Sequence, residues 1–215
     1  MFIDLSHAVA DGTVTYPGLP APRITDHLSR EASRAAYEPG TTFQIAKIEM
    51  VANTGTYVDA PSHRWEDGDD LSTLPLEAVA NLDGLVLDHH SQRGLEASAI
   101  GDVRGRAVLI RTGWSRHFGT AGYANGQHPF VTREAAEALV AGGAKLVGID
   151  SLNIDDTADK SRPAHTILLR AGIPIVEHLT ALEMLPREKF RFFAVPARFV
   201  GVGTFPVRAF AMTLA

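Results

Sequence analysis

Cysteine is absent from the 215 residues, which removes disulfide frameworks, thiolate metal sites and cysteine nucleophiles together. No stretch approaches the roughly 18 consecutive apolar residues that a membrane span requires. The opening Met1-Phe2-Ile3-Asp4 also lacks the basic segment and apolar run of a secretory leader, so a cytoplasmic protein is expected. Basic charge is scarce: Lys plus Arg number 20 against 25 Asp plus Glu, for a formal net charge of −5. The basic residues fall singly or in pairs, with no stripe for nucleic acid or an anionic membrane. Aromatics make up only 7% of the chain. What is present is an ordinary globular balance, 45% apolar and 21% charged. A chain of this length buries roughly 70% of its unfolded surface and needs no structural metal, so a metal here would serve chemistry. A single domain over residues 1–215 is expected.

Turn chemistry is concentrated at the start. Asp11-Gly12, Tyr16-Pro17-Gly18, Pro20, Pro22 and Pro39-Gly40 break residues 1–40 into short pieces, which reads as an irregular, extended N-terminal arm. Thr41 to Val51 alternates in the manner of a strand with one slip in phase. Ala107 to Ile110 is a short apolar run closed by Thr112-Gly113, the pattern of a buried strand. Thr132 is a plausible N-cap for a helix with Ala135, Ala138 and Leu139 on its apolar face and Gly142-Gly143 as its stop. A strand over 145–150, a short helix over 163–171, a strand over 173–177 and another over 190–197 follow. That cadence argues for an α/β sheet with right-handed crossovers. The acidic stretch 64–72 lacks the alternate spacing of a calcium loop and reads as solvated.

The densest group of reactive side chains is Asn53-Thr-Gly-Thr-Tyr57-Val-Asp59-Ala-Pro-Ser-His63. Gly55 permits close backbone approach, Pro61 stiffens the exit, and Asp59 and His63 put a carboxylate and an imidazole near each other on a turn leaving a strand. On spacing alone, an Asp capping its own turn beside a surface His would account for the pair equally well.

This segment resembles the signature of the cyclase family, which includes bacterial kynurenine formamidases and isatin hydrolases: His-x-Gly-Thr-His-x-Asp-x-Pro-x-His. The resemblance continues in Asp4-Leu5-Ser6-His7, Tyr16-Pro17-Gly18, Leu109 to Trp114, Gly148-Ile149-Asp150-Ser151, the pair His165 and Glu177, and Phe192 to Pro196. It implies a β-rich α/β domain of the swivelling β/β/α type and a dimer or tetramer, with the N-terminal arm a candidate to cross the interface. It also implies a site in which Asp59, His165 and Glu177 match metal ligands and His63 matches the acid/base. Asn53 and Tyr57 stand where the family places two further ligand histidines. A carboxamide is a weak ligand, and a tyrosine must lose a proton from a group of reference pKa about 10. The implied metal, zinc or manganese, is therefore weakly held or missing.

Arg111 and Trp114, with Tyr16, Phe43 and Trp65, are candidates to line a pocket for a flat or unsaturated acyl compound. His27, His89, His90, His117, His128 and His178 read as solvated or structural. The expected function is hydrolysis of a small amide, ester or lactone, arylformamidase-like, with Asn53 and Tyr57 donating to an oxyanion and His63 moving the proton. The alternatives are a metal-independent cyclase, isomerase or lyase, or a non-catalytic small-molecule-binding homologue.

Overall fold

The computed structural model describes residues 1–90 and 92–214. Among those residues nine strands form the main sheet. They are β1 (Phe2–Asp4), β4 (Tyr57–Asp59), β5 (Leu82–Asp88), β7 (Arg106–Arg111), β9 (Leu146–Ile149), β10 (Ile175–Glu177), β11 (Phe190–Phe193), β12 (Thr204–Pro206) and β13 (Phe210–Thr213). Their order across the sheet is β1-β13-β11-β5-β7-β9-β10-β4-β12. The central β5, β7, β9 and β10 run parallel, and the flanking pairs are antiparallel. Two small sheets accompany it: β2 (Arg23–Leu28) with β3 (Ile45–Glu49), and β6 (Gly94–Leu95) with β8 (Phe130–Val131). The helices are short: α1 (Arg30–Ser33), α2 (Arg133–Gly142) and α3 (Pro163–Arg170). None among the described residues is long and apolar enough to cross a membrane.

The unbroken apolar run in β7 follows from burial on both faces. Ala107 and Leu109 enter one apolar cluster with Val58, Val176, Phe190 and Phe192. Val108 and Ile110 enter a second with Val147, Leu139 and Leu168, where α2 and α3 cover the sheet. The helix ends follow the local chemistry: Thr132 accepts a hydrogen bond from the Ala135 amide, and Gly143 closes α2 in the left-handed region at φ 78°.

The opening segment differs from the irregular arm expected of it. β1 is paired with β13 at an edge of the main sheet, and Ile3 and Leu5 are buried in the core. The strand expected over Thr41 to Val51 shortens to β3, which pairs with β2 alone. Among the described residues no layer covers this two-stranded sheet, so its alternation buries neither face, and Ile45 and Ile48 are 50% and 58% exposed.

Candidate active site

The register of β4 builds the centre of the site. Side chains two apart on a strand share a face, so Tyr57 and Asp59 point one way while Val58 enters the core behind them. β10 sets Glu177 opposite Tyr57, and β12 sets Thr204 opposite Asp59. Both cross-strand pairs bond: Tyr57 donates to Glu177 Oε2 at 2.6 Å, and Thr204 donates to Asp59 Oδ1 at 2.5 Å. The turn after β4 (Pro61–His63) brings His63 back towards Thr204, and α3 supplies His165.

Hydrogen-bond logic fixes two imidazoles. Thr204 has one hydroxyl proton, and the carboxylate of Asp59 can only accept. The Thr204 oxygen therefore accepts from His63 Nδ1–H at 2.6 Å, and Nε2 of His63 keeps its lone pair. His165 Nδ1 lies 2.6 Å from Asp155 Oδ2, whose carboxylate also takes the Ala164 and His165 amides at the start of α3. His165 Nε2 then faces Asp59 Oδ2 at 3.7 Å and Glu177 Oε1 at 3.8 Å. Asp59 Oδ2 is buried without a hydrogen-bond partner. One potential ligand atom from each of Asp59, His63 and His165 lies within 4.8 Å of the others. An orphaned carboxylate oxygen, two imidazoles and a carboxylate orienting one of them are a donor set that suits a divalent cation.

Behind this group runs a buried chain of hydrogen bonds. Glu177 Oε1 takes the Ile154 amide at 2.6 Å, and Oε2 receives Asn153 Nδ2 at 3.4 Å besides Tyr57. The Tyr57 oxygen in turn receives His178 Nε2 at 3.2 Å, and His178 Nδ1 accepts from the Tyr123 hydroxyl at 2.8 Å. His178 sits in the left-handed region at φ 56°, held by Thr56, which donates to its carbonyl.

Residues 3–156 match the family described as Putative cyclase. The chain belongs to this family. Kynurenine formamidase of Salinibacter ruber is 28% identical over 210 residues, covering 96% of this chain and 95% of its own. A structure described as a potential metal-dependent hydrolase with cyclase activity is 26% identical with a TM-score of 0.79, covering 98% and 96%. Isatin hydrolase A from Labrenzia aggregata shares the fold at 23% identity and a TM-score of 0.85, covering 100% and 94%.

In this cyclase-family chain a cleft of about 450 Å³ is lined by residues 16–19, by Asn53, Tyr57 and His63, and by Arg64, Asn153, Arg162, His165 and Glu177. Of the expected pocket residues, Tyr16 lines it and four stand elsewhere. Phe43 is exposed and meets Tyr37 edge-on. Arg111 is paired with Asp88. Trp114 gives its indole N–H to the Tyr123 carbonyl, and Trp65 lies against the guanidinium groups of Arg64 and Arg170. Glu177, expected among the ligands with Asp59 and His165, has both oxygens engaged by donors, whereas His63, expected as the acid/base, stands in the group of potential ligand atoms.

Charge burial sets the protonation of the site. Burial opposes ionisation of Asp59, but His63 and His165 beside it hold its carboxyl below the usual range. Burial alone would lower His165; the carboxylates of Asp155, Asp59 and Glu177 push it up to about 10. Glu177 is raised by burial to about 7. Burial and the neighbouring carboxylates of Glu177 and Asp59 push Tyr57 well above the ordinary tyrosine value, so it stands as a phenol. Burial lowers His178 to about 3, which keeps it neutral and consistent with its two hydrogen bonds.

Thr204, Asp155, Asn153 and His178 are the participants that sequence reasoning missed. His178 shows no partner along the chain because its partners, Tyr57 and Tyr123, are 121 and 55 residues away. Thr204 carries no motif; only the β4–β12 register reveals it.

Proposed function

We propose that the protein is a hydrolase of a small amide, ester or lactone, with His63 moving the proton. The observation that carries this reading is the convergence of Asp59, His63 and His165 from β4, the turn after it and α3, with His63 and His165 lining one cleft and Asp59 buried beside them. The kynurenine formamidase relatives support an amide-type substrate. Asp59 and His165, joined by His63 where its Nε2 serves as ligand instead of base, are the residues that would hold a divalent ion, and such an ion would supply polarisation of the carbonyl and a water of lowered pKa. Three donors, with Asn53 and Tyr57 replacing imidazoles, make that hold weak.

The chain's own groups divide the remaining work. Asp59 and Thr204 lock the imidazole of His63 with Nδ1 protonated, so Nε2 can take a proton from the attacking water and return it to the leaving nitrogen or oxygen. Tyr57 directs its single proton at Glu177. The carboxamide of Asn53, which lines the same cleft, is the donor that the motif positions then offer a developing oxyanion. Elemental analysis before and after dialysis against a chelator, with turnover of an aryl formamide followed in parallel, tests the arrangement. Activity that survives chelation makes His63 the base without an ion. Activity that vanishes and returns with zinc or manganese makes it a ligand, and a stoichiometric metal that resists dialysis overturns the weak site.

A homodimer or homotetramer is also proposed. The uncovered β2–β3 sheet exposes Ile24 and Ile48, cross-strand partners on one face, an apolar pair suited to a second copy. Light scattering that returns a monomer overturns it.

A further inference from the structure

Two arginines at the cleft carry an inference about what enters it. Arg64 and Arg162 come from segments about a hundred residues apart, and both are anchored to α3. Arg64 Nε donates to Thr166 Oγ1 at 3.2 Å, and its guanidinium lies 4.7 Å from the Trp65 ring centroid. Arg162 immediately precedes α3 and gives one N–H to Asn153 Oδ1 at 3.4 Å. Asn153 reaches Glu177, so Arg162 is tied to the network at the centre of the site.

Arg162 is held in an uncommon conformation. Its backbone is left-handed, at φ 48° and ψ 61°, a region that non-glycine residues seldom adopt. Pro163 disfavours the helical alternative there. Half-buried, the side chain lines the cleft. Backbone strain at a ligand-facing residue persists where the surroundings over-determine it, and such positions cluster at ligand clamps.

Neither guanidinium has a carboxylate partner among the described residues. Arg93, Arg106, Arg111, Arg170, Arg191 and Arg208 do. Each guanidinium has five N–H donors, and Arg64 and Arg162 each spend one in the bonds above. The rest are free for a ligand.

We propose that Arg64 and Arg162 form a carboxylate-binding subsite, and that the substrate is an amide, ester or lactone carrying a carboxylate remote from the bond that breaks. The planar guanidinium fork matches a carboxylate with two parallel hydrogen bonds. Glu177 in the same cleft, with Asp59 adjoining, disfavours a dianion such as a phosphate monoester more than a monoanion. The subsite rests on the hydrolase reading of this cleft and adds the charge class of its substrate.

The test uses the whole chain with 2-formamidobenzoate, its methyl ester and phenyl phosphate as probes. Binding is measured by calorimetry, independently of turnover. The acid is expected to bind about tenfold or more tighter than the ester, with the gap narrowing as salt rises. Arg64→Gln and Arg162→Gln should each weaken the acid far more than the ester, and the double variant should erase the preference. Arg162→Lys keeps the charge and loses the fork, so a partial loss in that variant separates recognition from misfolding. Equal binding of acid and ester, no binding of either, a preference that survives the double variant, or tighter binding of phenyl phosphate overturns the subsite. Tighter binding of the acid with no cleavage of either probe removes the hydrolase reading and leaves the subsite standing. Cleavage of both with equal affinity does the reverse.

Discussion

Replacing Thr204 by Val removes one hydroxyl and keeps the β-branched shape that suits a strand. The hydroxyl is placed to act twice: it donates to Asp59 Oδ1 and accepts from His63 Nδ1. Both Thr204 and Asp59 are buried, at 3% and 0% exposed, and Asp59 Oδ2 already lacks a hydrogen-bond partner. Without Thr204 the carboxylate faces only the imidazoles, so its carboxyl rises from the depressed position it now holds. A hydrogen bond to a buried charged group contributes about 1.5–3 kcal/mol, and that is the expected loss in unfolding free energy. If the same bond orients His63 in the transition state, turnover falls by roughly 10- to 100-fold, the usual scale for a group that positions another. Urea unfolding and steady-state turnover of an aryl formamide, measured side by side, read the two effects. Thr204→Ser restores the hydroxyl and should recover most of both. A Thr204→Val protein within about 0.5 kcal/mol of the parent, turning over at the parental rate, would refute the claim that this bridge orients the site.

His63→Asn should slow turnover by roughly 10²- to 10⁴-fold while leaving the far-ultraviolet spectrum unchanged. Tyr57→Phe should cost about 1.5–3 kcal/mol of stability, because it removes a donor from the buried carboxylate of Glu177; turnover slowed by about 10²-fold or more without loss of stability would instead restore Tyr57 as an oxyanion donor. Gly203→Ala should damage activity, because a Cβ there would collide with the His63 amide nitrogen and lie 2.7 Å from its Cα; turnover equal to the parent would show that this contact relaxes at no cost to His63. In metal-free protein the urea midpoint should peak near neutral pH. Burial depresses His178 to about 3 and His7 to about 4, so the folded chain binds fewer protons than the unfolded one below about 6.5, and each group removes up to about 1.4 kcal/mol per pH unit as acid is added. Glu177, raised to about 7, offsets one of them between its unfolded value and 7. His165, raised to about 10, contributes stability below about 6.5 that is lost as pH climbs through 10. A midpoint that rises steadily from pH 5 to pH 9 would contradict these assignments.

The parts of the fold legible in the sequence are those with local causes. The cap at Thr132, the stop at Gly143 and the apolar run of β7 each follow from a few neighbouring residues, and all three stand where expected. The spacing 57, 59, 63 likewise marks the centre of the site, since strand alternation and one tight turn suffice to gather those side chains. What could not be read depends on pairings between distant segments. Nothing near Thr204 distinguishes it from other threonines until β12 lies beside β4, and Asp155 matters only because α3 begins above it. Of the expected pocket aromatics Tyr16 lines the cleft, while Trp114 and Phe43 stand elsewhere for a related reason: residue type states what a side chain can do, but these two found other neighbours.

β12 is an outermost strand of the nine, joined to β4 through three residue pairs. Edge strands with few partners open at lower free energy than the strands inside a sheet. The residue that aligns His63 is thus carried by a strand that can detach while β5, β7 and β9 remain paired. Catalysis and compactness should then fail at different points on a denaturant axis: turnover is lost first, amides of β12 exchange with solvent well before those of β7, and the gap between the two widens in any variant that weakens Phe205 or Pro206 against β4.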